Sequence, residues 1–266
     1  MGKLEGEHVS RGGKDGVCHV CGKQGKMSFE HIPPKSMGNI HNAKLYNAVE
    51  IIAEKKSLDL TDKNGFKYKQ QQRGSGFQTL CKECNSFFGA NYVEAFTGCI
   101  MEFAKIPHSS LVEDGAKGIH LEAHKINVLA FVKQVIANFC AVTNPGSMVD
   151  CKRFLLEKES NAFPERLKLF MFAVPDETEG LVSTGWTKLI TSKDLRNGFR
   201  VASLAYFPVG FYLLDQAASS VEPNINLGCD ITPMAAVPWD DKPRFSIDLP
   251  YMTISQGIPH PISSGK

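Results

Sequence analysis

Apolar positions along the chain change their period near residue 97. Before it, residues 27–32 alternate between apolar and polar and predict a short strand, which Pro33-Pro34 ends. A weakly patterned stretch follows, with a short helix expected over 43–55 and a turn at Asp62-Lys-Asn-Gly65. Residues 66–73 read as an exposed strand. Gly74-Ser-Gly76 then forms a hinge before a second short strand at 77–80. From Asn85 onward Phe87, Phe88, Tyr92, Val93 and Phe96 recur at helical spacing. Beyond residue 97 the segment 120–142 is apolar almost all round and predicts one buried helix, stopped by Asn144-Pro-Gly146. Residues 148–158 predict a further helix. Four β-like runs follow at 167–174, 181–190, 200–207 and 209–214, and the last fifty residues read as proline-punctuated loops.

The expected fold class is α+β. Residues 1–97 are expected to form a small module of short strands and a helix, and residues 98–266 a mixed α/β domain. The composition is that of an ordinary globular protein, with 42% hydrophobic and 22% charged residues. The net charge of +2 divides unevenly: residues 1–95 carry 14 Lys/Arg against 10 Asp/Glu, and the rest carry 16 against 18. A mildly basic N-terminal third suits a polyanionic partner. No stretch predicts a membrane span or a secretory signal.

Cysteine usage adds more. Eight cysteines in 266 residues do not make a disulfide scaffold. Four of them form two Cys-x-x-Cys pairs, Cys18/Cys21 and Cys81/Cys84, and the other four (Cys99, Cys140, Cys151, Cys229) are isolated small apolar side chains. That pattern implies a reducing compartment, the cytoplasm. Two Cys-x-x-Cys turns supply the four thiolates of a tetrahedral structural Zn²⁺ site, although the 59 residues between them exceed the usual spacer. His19, inside the first turn, is expected to be exposed and not a ligand.

The pairs bracket a second set of residues. Glu30-His31 precedes Ile-Pro-Pro, and Asn85 directly follows the last cysteine. Hydrolysis of a phosphodiester needs an activated water and a metal to hold the charged phosphate. A neutral His titrates near pH 7 and can take the proton. A carboxylate and an amide oxygen suit a hard cation such as Mg²⁺. Neighbours on a strand point to opposite faces, so Glu30 and His31 must lie at a strand end or bulge to share one phosphate.

Cys-x-x-Cys, an acid–His pair before Ile-Pro, and Leu-Cys-x-x-Cys-Asn together resemble the HNH, or ββα-metal, endonucleases, in their zinc-stapled, endonuclease VII-like branch. The likeness spans about residues 15–97 and implies a treble-clef-like zinc module. It implies His31 as general base, Glu30 and Asn85 as ligands of a catalytic Mg²⁺ or Mn²⁺, and Cys18, Cys21, Cys81 and Cys84 as structural zinc ligands. DNA is the implied substrate, in a defence or restriction setting, and RNA is not separated from it. The acid is Glu where the family usually has Asp. The family's middle Asn falls on Gly76, and Ser75, Gln78 and Asn42 are candidates to replace its hydrogen bonds. Lys67, Lys69 and Arg73 in the long spacer are candidate nucleic-acid contacts, or else a solvated strand. A non-catalytic zinc module that binds nucleic acid or protein is the alternative. Residues 98–266 carry no motif; the resemblance implies a specificity or regulatory role, a protein partner or a second copy. His108, His120 and His124 are assigned to structure.

Overall fold

Backbone pairing between two segments fifty residues apart builds the N-terminal part of the molecule. A computed structural model describes residues 13–55, 63–176, 180–190, 198–218, 226–253 and 260–261. Strand β1 (Asp15–Val17) pairs antiparallel with β2 (Gln24–His31), and β2 pairs antiparallel with a later strand, Gly76–Cys81. Between them the chain makes a separate ribbon of β3 (Ala43–Tyr46) and β4 (Tyr68–Gln71), with the short helix α1 (Ala48–Lys55) after β3. The single helix expected over 43–55 is thus corrected to a strand and then a helix. Pairing of Tyr46 with Tyr68 decides the first half, and its partner is too distant in sequence to register in a local pattern.

The strand Gly76–Cys81 is β5, and it runs directly into α2 (Lys82–Asn91), with α3 (Val93–Phe103) following after a break at Tyr92. Phe88, Tyr92, Phe96, Ile100 and Phe103 are all fully buried, as their helical spacing requires. After α4 (His108–Glu113), residues 118–123 form strand β6 (Gly118–Ala123), paired antiparallel with β12 (Phe245–Pro250). The expected helix over 120–142 is therefore shorter: α5 runs from Val128 to Val142, with the Asn127 side chain accepting from Ala130 N at 2.8 Å as its cap. His120 accordingly sits on β6. Asp248 lies 2.8 Å from its Nδ1 and Glu122 3.3 Å from its Nε2, so it has acidic partners that sequence spacing did not reveal. Those two carboxylates hold its pKa above the usual value.

All residues of α5 but the last are buried. Even Lys133 is enclosed: it donates to the carbonyls of Phe154 and, at 3.0 Å, of Glu157, closing the C-terminus of α6 (Lys152–Leu156). One side of α5 faces the strands β7 (Leu167–Ala173), β8 (Val182–Ile190), β9 (Gly198–Tyr206), β10 (Val209–Asp215) and β11 (Cys229–Asp230), ordered β11-β7-β10-β9-β8. The four β-like runs read from the sequence are β7 to β10. Alternation assigns Leu167, Leu169 and Met171 of β7 to the α5 side, and Phe172 to a smaller apolar cluster on the far side. The larger cluster runs from Cys18 to Tyr251, so the division drawn at residue 97 lies inside α3, with cluster residues on both sides of it. Short strands β13 (Met252–Thr253) and β14 (His260–Pro261) complete the described chain. No helix among the described residues is long and apolar enough to cross a membrane.

Candidate functional site

The loop from Cys18 closes on itself through Gly22 N donating to Cys18 O and Cys18 N donating to Lys23 O, each at 2.9 Å. That turn holds Cys18 and Cys21 over the end of β5, where Cys81 begins α2 and Cys84 sits on its first turn. One sulfur from each of the four residues lies within 4.8 Å of the others, and Cys21 Sγ is 3.7 Å from Cys81 Sγ. A tetrahedron with Zn–S bonds of about 2.3 Å has sulfur–sulfur edges of about 3.8 Å. The four cysteines can therefore hold a zinc ion. A hydrogen bond from Cys84 pulls the Cys18 thiol down to about 4; the same bond, followed by burial, pushes Cys84 far up, and burial pushes Cys81 up to about 11.

The cysteine cluster and the polar residues lie along the same β2–β5 pair and the start of α2. Register is regular at Met27–Cys81 and Ser28–Leu80, then shifts, so that Glu30 faces Phe77 and His31 faces Gly76. Phe29 thus stands against two residues, Gln78 and Thr79, in a β-bulge. The extra carbonyl, of Thr79, accepts from His19 N at 3.0 Å. His31 ends β2. The bulge lies at Phe29, one residue before the Glu30–His31 pair; Glu30 and His31 themselves keep regular register and point to opposite faces, with His31 at the strand end.

Each of the three residues is held differently. Glu30 is buried, and no hydrogen bond or ion pair reaches its carboxylate among the described residues; burial pushes its pKa up to about 7. Asn85, half-buried on α2, donates from Nδ2 to Ser28 Oγ and to Phe29 O, both at 3.0 Å. Its nitrogen is thereby committed to the backbone beside Glu30, and Oδ1 is the atom left to accept or to ligate. His31 Nε2 lies 3.0 Å from Arg73 O. A carbonyl only accepts, so Nε2 carries the proton in the neutral ring and Nδ1 keeps its lone pair. Phe29 packs edge-on to the His31 ring at 4.9 Å, which fixes the ring on the Phe29 side of the strand while Glu30 points inward.

Arg73 O reaches His31 because residues 73 and 74 turn with φ of 63° and 108°. Gly74 meets that need without a side chain, whose Cβ would strike Asn39 and His31. Asn39, unremarked in the sequence, is the main brace: Nδ2 donates to Pro33 O at 2.7 Å and Ser75 O at 2.8 Å, and Oδ1 accepts from Ser75 N at 2.7 Å. Ser75 Oγ adds a bond to Ile32 O at 2.8 Å, and Asn42 Oδ1 accepts from Arg73 N at 3.3 Å. Gln71 pairs its amide with both backbone groups of Gly76, at 2.8 and 2.9 Å. These side chains tie the turn at 73–76 to the end of β2. Ser75 and Asn42 are two of the candidates named from the sequence, whereas Asn39 carries no local signal, because its bonds to Ser75 cross 36 residues. Asn39→Ala is expected to cost about 2–4 kcal/mol, since backbone groups lose their partners, and to lower the melting temperature by several degrees in a thermal unfolding scan.

Gly76 allows the strands to touch. A Cβ there would overlap Glu30 O and come within 2.9 Å of Phe29 Cε1, so no asparagine fits. Gly76→Ala is expected to destabilise by about 3 kcal/mol, read as a lower denaturant midpoint at unchanged slope.

Comparison with protein-family models, curated proteins and solved structures finds no match. Lys67, Lys69 and Arg73 lie exposed on or beside β4, away from the cysteines in sequence but joined to His31 through Arg73 O.

Proposed function

We propose that this chain is a metal-dependent endonuclease of the HNH type, hydrolysing phosphodiester bonds in DNA. The observation that carries the reading is the hydrogen bond from His31 Nε2 to Arg73 O, which leaves Nδ1 as a base at the exposed end of β2. His31 Nδ1 accepts a proton from the attacking water, and Arg73 O stabilises the imidazolium that results. Glu30 and Asn85 Oδ1 supply the oxygen donors that suit a hard divalent cation, and a buried carboxylate with no protein partner among the described residues fits that use. When bound there, Mg²⁺ or Mn²⁺ would neutralise phosphate charge and stabilise the leaving oxygen. The four cysteines hold β2, β5 and α2 in one register, so that the base and the donors keep their places.

The test is nicking of supercoiled plasmid with Mg²⁺ or Mn²⁺, with EDTA as control and His31→Ala as the inactive variant. Equal activity of the two proteins would sink the assignment. Salt-sensitive DNA binding without cutting under any divalent metal would favour a zinc-stabilised binding module instead.

A further inference from the structure

The ribbon β3–β4 carries features that zinc binding and hydrolysis do not use. Tyr46 and Tyr68 face each other across it with ring centroids 5.6 Å apart, and Tyr68 is 48% exposed. Lys44 Nζ lies 4.6 Å over the Tyr68 ring, and Lys63 Nζ 5.8 Å over the Tyr46 ring. Strand alternation puts Lys44, Tyr46, Tyr68 and Gln70 on one face. The described residues of this segment, 43–55 and 63–73, hold six Lys/Arg against two Glu. Lys67 and Lys69 make no ion pair among the described residues. Arg73, two residues beyond the end of β4 at Gln71, accepts through its carbonyl from His31 Nε2.

Tyr68 presents an exposed ring with the half-buried Tyr46 beside it, and the lysines around them select an anion. Lysines alone serve duplex phosphates, whereas an exposed aromatic face is useful only to a base whose own face is free. We propose that the β3–β4 ribbon stacks unpaired bases of a DNA strand on Tyr46 and Tyr68 and leads that strand to His31. Lys44 occupies the Tyr68 face in the free protein and transfers to a phosphate when a base arrives. The occupant is thus single-stranded DNA, and the substrate of the nuclease reading, on which this rests, is narrowed accordingly.

Binding is measured by fluorescence anisotropy with labelled single-stranded DNA of about 12 nucleotides and with the matching duplex, in the His31→Ala background so that nothing is cut. Tyr46→Ala with Tyr68→Ala is expected to weaken single-strand binding about 25-fold or more, at about fivefold per ring, and duplex binding by less than twofold. Tyr46→Phe with Tyr68→Phe keeps the faces and is expected to retain single-strand affinity. Unchanged single-strand affinity in the alanine variant overturns the proposal, as does an equal loss on both DNA forms, or tighter binding of single-stranded RNA than of DNA. Zinc content and far-ultraviolet dichroism confirm that the variants fold. Plasmid nicking by the wild type is scored separately. His31-dependent cutting with tyrosine-independent binding removes the ribbon and leaves the nuclease, and tyrosine-dependent binding without cutting removes the nuclease.

Discussion

Cys81→Ser is expected to lose most of its zinc and to unfold well below the wild type. Serine keeps its proton at neutral pH and cannot complete the tetrahedron, so three thiolates and a neutral oxygen remain for the ion. Structural zinc sites stabilise by about 10–16 kcal/mol in small peptides, which matches or exceeds the whole stability of many domains. Here the apolar cluster around α5 shares the task, so the variant is expected to keep part of its structure and lose β1, β2 and β5 first. Metal content by mass spectrometry and thermal unfolding read the two effects. Cys229→Ser, on β11 and not one of the four clustered cysteines, serves as the control and is expected to keep its zinc. Wild-type zinc content in Cys81→Ser would refute the four-thiolate site.

His31→Ala is expected to cut DNA about 10²- to 10⁴-fold more slowly than the wild type, the range that a positioned general base contributes. The fold is expected to survive, because the ring is only half-buried and its recorded contacts are one backbone carbonyl and the Phe29 edge. Zinc content should be unchanged, and DNA affinity close to that of the wild type. That combination separates a chemical role from a structural one: a variant slow to cut because it is misfolded would lose zinc too. Single-turnover cleavage alongside a melting curve gives both readings.

The parts of the fold that could be read from the sequence are those decided by near neighbours. Two cysteine pairs declare their geometry within four residues each, and the four sulfurs do converge. The runs of β7, β9 and β10 are legible because both of their faces are largely buried, so their apolar character is near-continuous, while the edge strand β8 is only half-buried and reads from its β-formers. Strand β6 was absorbed into a helix, since Gly118–Ala123 is fixed by β12, more than 120 residues later. Asn39 is illegible for the same reason: it is an ordinary polar residue until Ser75, 36 positions later, is brought beside it. Gly76, which looked like a missing amide, is a contact point where β2 and β5 leave no room for one.

His19 Nδ1 lies 2.9 Å from Cys140 O, and Thr79 Oγ1 donates to Ala141 O at 2.9 Å. These are carbonyls of the last turn of α5, which have no partner within the helix. The groups that satisfy them come from the zinc turn and from the bulge it supports. Chelating the metal should therefore raise amide hydrogen exchange not only around the cysteines but also at the far end of α5. A fragment cut after residue 97 should in turn bind zinc less tightly than the full chain does. Metal affinity becomes a readout of whether the central helix is docked.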